Sequence, residues 1–224
     1  MKKTGPVVMS VVLALVILFG MGQFFAIPPA SQQAPSAPAE EAANATKVIA
    51  YVPPELPTST KVLDGSCWTS SIAAPFRKDA WRCAVQNAIS DPCFEIPGGK
   101  ELVCGMNPAV ARATSTFLLK LTKPLPAPET VQGAVPSNWA WLAKLSDGTI
   151  CSPFTGTLPV AEGGISANYG CAPKTKGGEG LLIFGDFNAS TSEWTALVGT
   201  LAISTSGMPR VSGEHAVAVD TVWQ

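Results

Sequence analysis

The chain has 224 residues, with 15 Lys and Arg against 16 Asp and Glu, a formal net charge of −1 and a pI near 5.8. That balance argues against nucleic acid as a partner, because phosphate recognition demands clustered Lys and Arg. Hydrophobic residues reach 46% and charged residues only 14%, the latter against roughly 25% in an average globular chain; there is material for one sizeable core, and part of the chain is nearly uncharged.

The uncharged part comes first. After Lys2 and Lys3, Pro6 to Ile27 (PVVMSVVLALVILFGMGQFFAI) runs for 22 residues without a charge. A helix needs about 20 apolar residues to cross a bilayer, whereas the apolar region of a cleavable signal is shorter, about 7 to 15. Residues 1–27 therefore read as a signal anchor, a single transmembrane helix. The two lysines before the span place the N-terminus in the cytoplasm and the rest of the chain outside the cell membrane. The alternative is secretion after signal cleavage, which Phe24-Phe25-Ala26 serves poorly because a large residue stands where a small one is wanted. Residues 28–46 (PPASQQAPSAPAEEAANAT) have almost nothing to bury and read as an extended Pro/Ala/Ser-rich tether.

From 47 to 224 the chain reads as one extracytoplasmic domain. Short apolar runs predict strands at Val48–Val52, Lys61–Trp68, Glu101–Gly105, Thr114–Leu121, Trp139–Leu145, Gly180–Phe184, Trp194–Ile203 and Ala216–Trp223. The last alternates, with Val217, Val219 and Thr221 on one face and Ala218, Asp220 and Val222 on the other. Turn signals stand at Pro97-Gly98-Gly99-Lys100, Ser146-Asp147-Gly148, Glu162-Gly163-Gly164 and Lys176-Gly177-Gly178. Arg77 to Ser90 fits a helix face (Trp81, Ala84, Val85, Ala88) or a strand face (Trp81, Cys83, Val85), and the strand is preferred over Trp81–Val85. The expected fold is mainly β, with α+β as the alternative.

Six cysteines, Cys67, Cys83, Cys93, Cys104, Cys151 and Cys171, all lie in the predicted external domain, and an even count there reads as three disulfides. Cys93 and Cys104 flank the Pro-Gly-Gly-Lys turn, so a hairpin brings them together, and Cys151 and Cys171 flank a second Gly-rich excursion. Cys67 with Cys83 follows by elimination. No C-x-x-C pair exists and His215 is the single histidine, which disfavours a metal site. No cofactor is expected: Gly177-Gly178-Glu179-Gly180 lacks the ending of a phosphate loop.

Gly65-Ser66-Cys67-Trp68 resembles the nucleophile region of papain-like cysteine peptidases, and His215, in a His-Ala-Val run, follows by 215 − 67 = 148 residues, within the family's span of about 130 to 150. The resemblance implies Cys67 as nucleophile and His215 as its base. The rest departs from that pattern: Lys61 stands where a glutamine should form the oxyanion hole, Asp64 replaces a structural cysteine, and no Asn follows His215.

A second resemblance covers residues 60 to 224. GSCWTSS, DAWRC, DPCF, LVCG, DGTIC and NYGC, in that order, resemble an uncharacterised family of secreted or membrane-anchored bacterial envelope domains, with Asp91-Pro92-Cys93-Phe94 as a turn. It implies no activity, and it implies a structural Cys67. Other candidate groups have plain readings: Ser70, Ser71 and Asp79 as exposed polar residues, Asp91 with Glu95 and Asp186 with Glu193 as surface carboxylates. Asn44-Ala-Thr46 and Asn188-Ala-Ser190 match the glycosylation triplet. The six tryptophans, Trp68, Trp81, Trp139, Trp141, Trp194 and Trp223, read mostly as core, with glycan stacking as the alternative. The expectation is a membrane-anchored, non-catalytic module for an unknown envelope ligand, protein or glycan; the alternatives are a Cys67/His215 hydrolase and a wall-glycan binder.

Overall fold

The computed structural model describes residues 44–54, 56, 59–98, 100–110, 115–128, 136–172, 180–203, 205 and 207–224. The predicted anchor, nearly all of the tether and the Gly177-Gly178 turn lie outside them. Among the described residues there is no helix, and the strands are β1 (Lys47–Ile49), β2 (Val62–Ser70), β3 (Ala80–Val85), β4 (Ala88–Glu95), β5 (Glu101–Cys104), β6 (Phe117–Leu121), β7 (Leu142–Leu145), β8 (Ile150–Pro153), β9 (Ala167–Cys171), β10 (Leu182–Phe184), β11 (Thr195–Ile203) and β12 (Pro209–Trp223). The fold is all-β there.

Two rings of strands result. β2 to β6 form a closed barrel in chain order, and β7 to β12 form a sheet that closes on itself because β12 also pairs β7. Chain direction explains the closing pairs. Strands that go up and down in turn leave the first and last of five pointing the same way, and β2 pairs β6 in parallel. Six leave them opposed, and β12 pairs β7 antiparallel. Closure matters because it removes the unpaired edges that an open sheet of short strands would present. β1 adds in parallel to the end of β12, matching Val48 with Val222.

The segment that fitted both periods is strand. Trp81, Cys83 and Val85 point into the first barrel, and the hairpin from β3 to β4 turns at Gln86, whose φ of 55° is left-handed. The reading of Asp91 to Phe94 as a turn is corrected: these residues belong to β4. Trp81 faces Cys93 and Cys83 faces Ser90, so Asp91 and Pro92 together oppose Arg82. Proline has no N–H to give a ladder, and a bulge is where a strand tolerates it. The cis bond before Pro92 lies within that bulge.

All three predicted sulfur pairings are present as disulfides, and each joins residues directly opposite in neighbouring strands: Cys67 with Cys83, Cys93 with Cys104, Cys151 with Cys171. The sulfurs sit inside the barrels with the aliphatic residues, the first two pairs packed with Trp81, Leu102 and Leu119 and the third with Leu145, Ile183 and Val198. A separate aromatic cluster joins the two barrels. Tyr51, Phe94 and Trp141 have ring centroids 5.0 to 5.1 Å apart, with Leu142 and Trp223 beside them. Arg77 closes this seam: its guanidinium lies 4.7 Å from the Phe94 ring and donates to the backbone oxygens of Tyr51 (2.6 Å) and Gln224 (3.1 Å).

Candidate functional site

A recess among the described residues lies along this seam, a cleft of about 360 Å³. The first barrel contributes Asp91 and Pro92 from β4 and the turn Gly105-Met106-Asn107 after β5; the second contributes Trp141, Leu142, Ser152 and Thr155. Gly105 is required there. Its φ is +67°, and a Cβ would collide with the Ser115 carbonyl oxygen. Ser115 Oγ in turn donates to the Gly105 carbonyl at 2.9 Å, which fixes the wall.

Asp91 is the one ionisable residue in the described lining, and its side chain is only 2% exposed. A buried carboxylate must be saturated with donors, and this one is. Ser71 Oγ donates to Oδ1, the backbone N–H groups of Ile72 and Ala73 donate at 3.2 and 3.4 Å, and Arg82 Nη1 donates to Oδ2 at 2.9 Å. Arg82 Nη1 also donates to the Thr155 carbonyl at 2.7 Å, so the same guanidinium ties the first barrel to the second. Ser71 is therefore buried, at 3% exposure, and not the exposed polar residue expected; its hydroxyl also accepts the Ala74 N–H at 2.8 Å.

Two bulges make this arrangement. On β4 the extra residue is supplied by Asp91-Pro92; on β2, Cys67 faces Cys83 and Thr69 faces Arg82, leaving Trp68 without an opposite residue. Arg82 thus has a bulge on either side of it. A bulge bends its strand and re-aims a side chain, and here Trp68 stands over Arg82 with the guanidinium 5.9 Å from its ring. Trp68 is 48% exposed, while Trp81, Trp141, Trp194 and Trp223 are buried and Trp139 is half-buried against Phe76. Trp141 Nε1 and Tyr51 Oη are buried without a hydrogen-bond partner.

The remaining sequence candidates are dispersed. Cys67 is bonded to Cys83 on β2, and His215 sits exposed on β12 of the other barrel with Nδ1 2.7 Å from the Gly213 oxygen. Glu95 accepts from Trp81 Nε1 at 2.7 Å, and Asp79 receives Arg77. Asp186 accepts from Asn168, and Glu193 is exposed near Asn44 in a smaller recess of about 150 Å³. Beside that recess Lys144 Nζ donates to Asp220 at 3.0 Å and holds its carboxyl below the ordinary range. The Thr46 hydroxyl of the first glycosylation triplet donates to Val219 O at 2.6 Å and accepts from Trp194 N at 2.8 Å, whereas Asn44 and Asn188 are exposed. Among the described residues no group of three His, Cys, Asp or Glu gathers to hold a metal.

Sequence reasoning passed over Arg82 and Asn107, and treated Asp91 as surface. The available signal was the proline inside an apolar, β-compatible run, which marks a bulge as well as a turn. No family model, no curated protein and no solved structure matches the chain.

Proposed function

We propose that the chain is an extracytoplasmic binding module, tethered to the cell membrane through residues 1–27, that holds a ligand at the seam cleft without reacting with it. One observation carries this reading. The only ionisable group in the described cleft lining, Asp91, already accepts four hydrogen bonds, so it has no lone pair left for a substrate proton. The geometry around Cys67 agrees: its sulfur is spent in a disulfide, and the single histidine belongs to the other barrel. A nucleophile and its base must stand within hydrogen-bond reach, and a bridged sulfur cannot attack. The order of GSCWTSS, DAWRC, DPCF, LVCG, DGTIC and NYGC supports placing the chain beside bacterial envelope domains of the same pattern, and the uncharged run from Pro6 to Ile27 supports the anchor.

Full-length protein in detergent, titrated with solubilised envelope fractions, tests the reading. Amide resonances of residues 105–107, 152, 154 and 155 should shift while the ligand stays chemically intact. Release of a cleaved product, or shifts confined to residues outside the cleft, would contradict it. The anchor is tested by carbonate washing of native membranes; an intact N-terminus on a membrane-retained protein is expected, and a mature N-terminus beyond Ala26 would overturn that part.

A further inference from the structure

We propose that the ligand is a neutral carbohydrate, one pyranose ring stacked on Trp68 and the adjoining ring lodged in the seam cleft. This rests on the reading of the cleft as a binding site and adds the chemical class of its occupant. Charge decides first. Asp91 is the only ionisable residue in the described lining, and Arg82 cancels it at 2.9 Å. An uncompensated charge on a ligand would find no counter-ion here, and its desolvation would go unrewarded. The remaining polar lining is hydroxyl and amide, from Ser152, Thr155 and Asn107, groups that both donate and accept as sugar hydroxyls require, with Ser115 Oγ, which donates to the Gly105 carbonyl, as a further acceptor. Trp141 lines the cleft wall with its ring packed against Tyr51 and Phe94, which adds an apolar, rigid side to the recess.

Shape decides next. At about 360 Å³ the cleft is at the small end of ligand sites, which suits a ring or two and excludes a folded partner. Trp68 is connected to it through Arg82, which lies 5.9 Å from the indole and whose Nη1 reaches both Asp91 and Thr155 of the lining. An exposed indole held by a cation from beneath leaves its outer face to a flat apolar surface, and the C–H face of a pyranose is one. The paired bulges at Trp68 and at Asp91-Pro92 account for why these groups converge: regular ladders on β2 and β4 would place residues opposite Arg82 one to one.

The test uses full-length protein in a detergent without a sugar headgroup and, as probes, β-1,4-linked N-acetylglucosamine tri- and tetrasaccharides. The indole N–H signal of Trp68, assigned by Trp68→Phe, should move together with the amides of Asn107 and Ser152. Trp68→Ala should weaken binding about tenfold or more, with Trp68→Phe intermediate and the melting temperature of both variants near that of the parent. A trisaccharide of the same linkage carrying a carboxylate should bind more weakly than the neutral trisaccharide. Shifts at Asn107 and Ser152 with a silent Trp68, and equal binding by Trp68→Ala, would overturn the stacking proposal while leaving the cleft as a binding site. Tighter binding of the carboxylated probe, or no shift with any saccharide, would overturn the carbohydrate class, and the envelope titration above would then decide separately whether the cleft binds anything.

Discussion

Arg82 and Asp91 meet at 2.9 Å across the bulge that lets β4 carry a proline, and this one ion pair is common to the first barrel, the seam and the cleft. The guanidinium side chain is 13% exposed and the carboxylate 2%. Removing one partner from a buried pair leaves an uncompensated charge, at a cost of about 3–5 kcal/mol, whereas replacing both with apolar groups is often neutral. Arg82→Met should therefore lower the guanidinium-chloride midpoint sharply, and Arg82→Met with Asp91→Asn, which removes the charge but keeps an oxygen for the Ser71 and backbone donors, should recover part of the loss. Equal destabilisation of the single and double variants would show that the pair is not the anchor described.

The disulfides predict a second set of differences. Their sequence separations are 16, 11 and 20 residues, and loops of this size stabilise by roughly 3 kcal/mol in the chain-entropy model. Cys67→Ser should cost stability and secreted yield for that reason, and a reductant should lower the melting temperature of the parent in the same direction. An unchanged melting temperature on full reduction would contradict a structural role.

His215→Ala should change almost nothing. The ring is exposed on β12, and its Nδ1 lies against the backbone of its own strand at Gly213. Surface substitutions of this kind stay within about 0.5 kcal/mol. A large loss of any activity with stability intact would revive the Cys67/His215 alternative.

Tyr51 gives a pH prediction with a definite sign. Burial pushes its hydroxyl up to about 12, with the nearby Arg77 opposing. A raised pKa means the unfolded chain releases its proton first as pH rises, so the contribution is intact below about pH 10 and is lost between about 10 and 12. Tyr51→Phe should flatten this alkaline loss. Because Tyr51 Oη is buried without a partner, the same change should leave stability at neutral pH unharmed or improved. Tyr169 provides the contrast: burial also raises its pKa, but its hydroxyl donates to Ala140 O at 2.8 Å, so Tyr169→Phe should destabilise. Denaturant titrations of both variants from pH 7 to 11 check the difference.

Much of the fold was legible because it rests on local pattern. Trp81, Cys83 and Val85 recur at every second position, and Pro97-Gly98 marks the β4–β5 hairpin, so strand type and two sulfur pairings follow from the sequence. β8 and β9 escaped notice because Ile150–Pro153 and Ala167–Cys171 are short, glycine- or proline-bearing segments that pairing, not propensity, makes into strands. The cleft was illegible for a different reason. Arg82 and Thr155 are 73 residues apart, and only closure of both rings brings the guanidinium of one against the carbonyl of the other. The same holds for the tryptophans: sequence proposes a core role for most, but only the bulge at Trp68 singles out the exposed one.

The most direct test of the central claim, a stapled binding module and not a cysteine hydrolase, is mapping of disulfide-linked peptides from native protein alkylated without reduction. The account predicts three crosslinked pairs, Cys67 to Cys83, Cys93 to Cys104 and Cys151 to Cys171, with no alkylated thiol. A labelled Cys67 that reacts faster than an ordinary thiol near neutral pH would contradict it and make Cys67 the nucleophile.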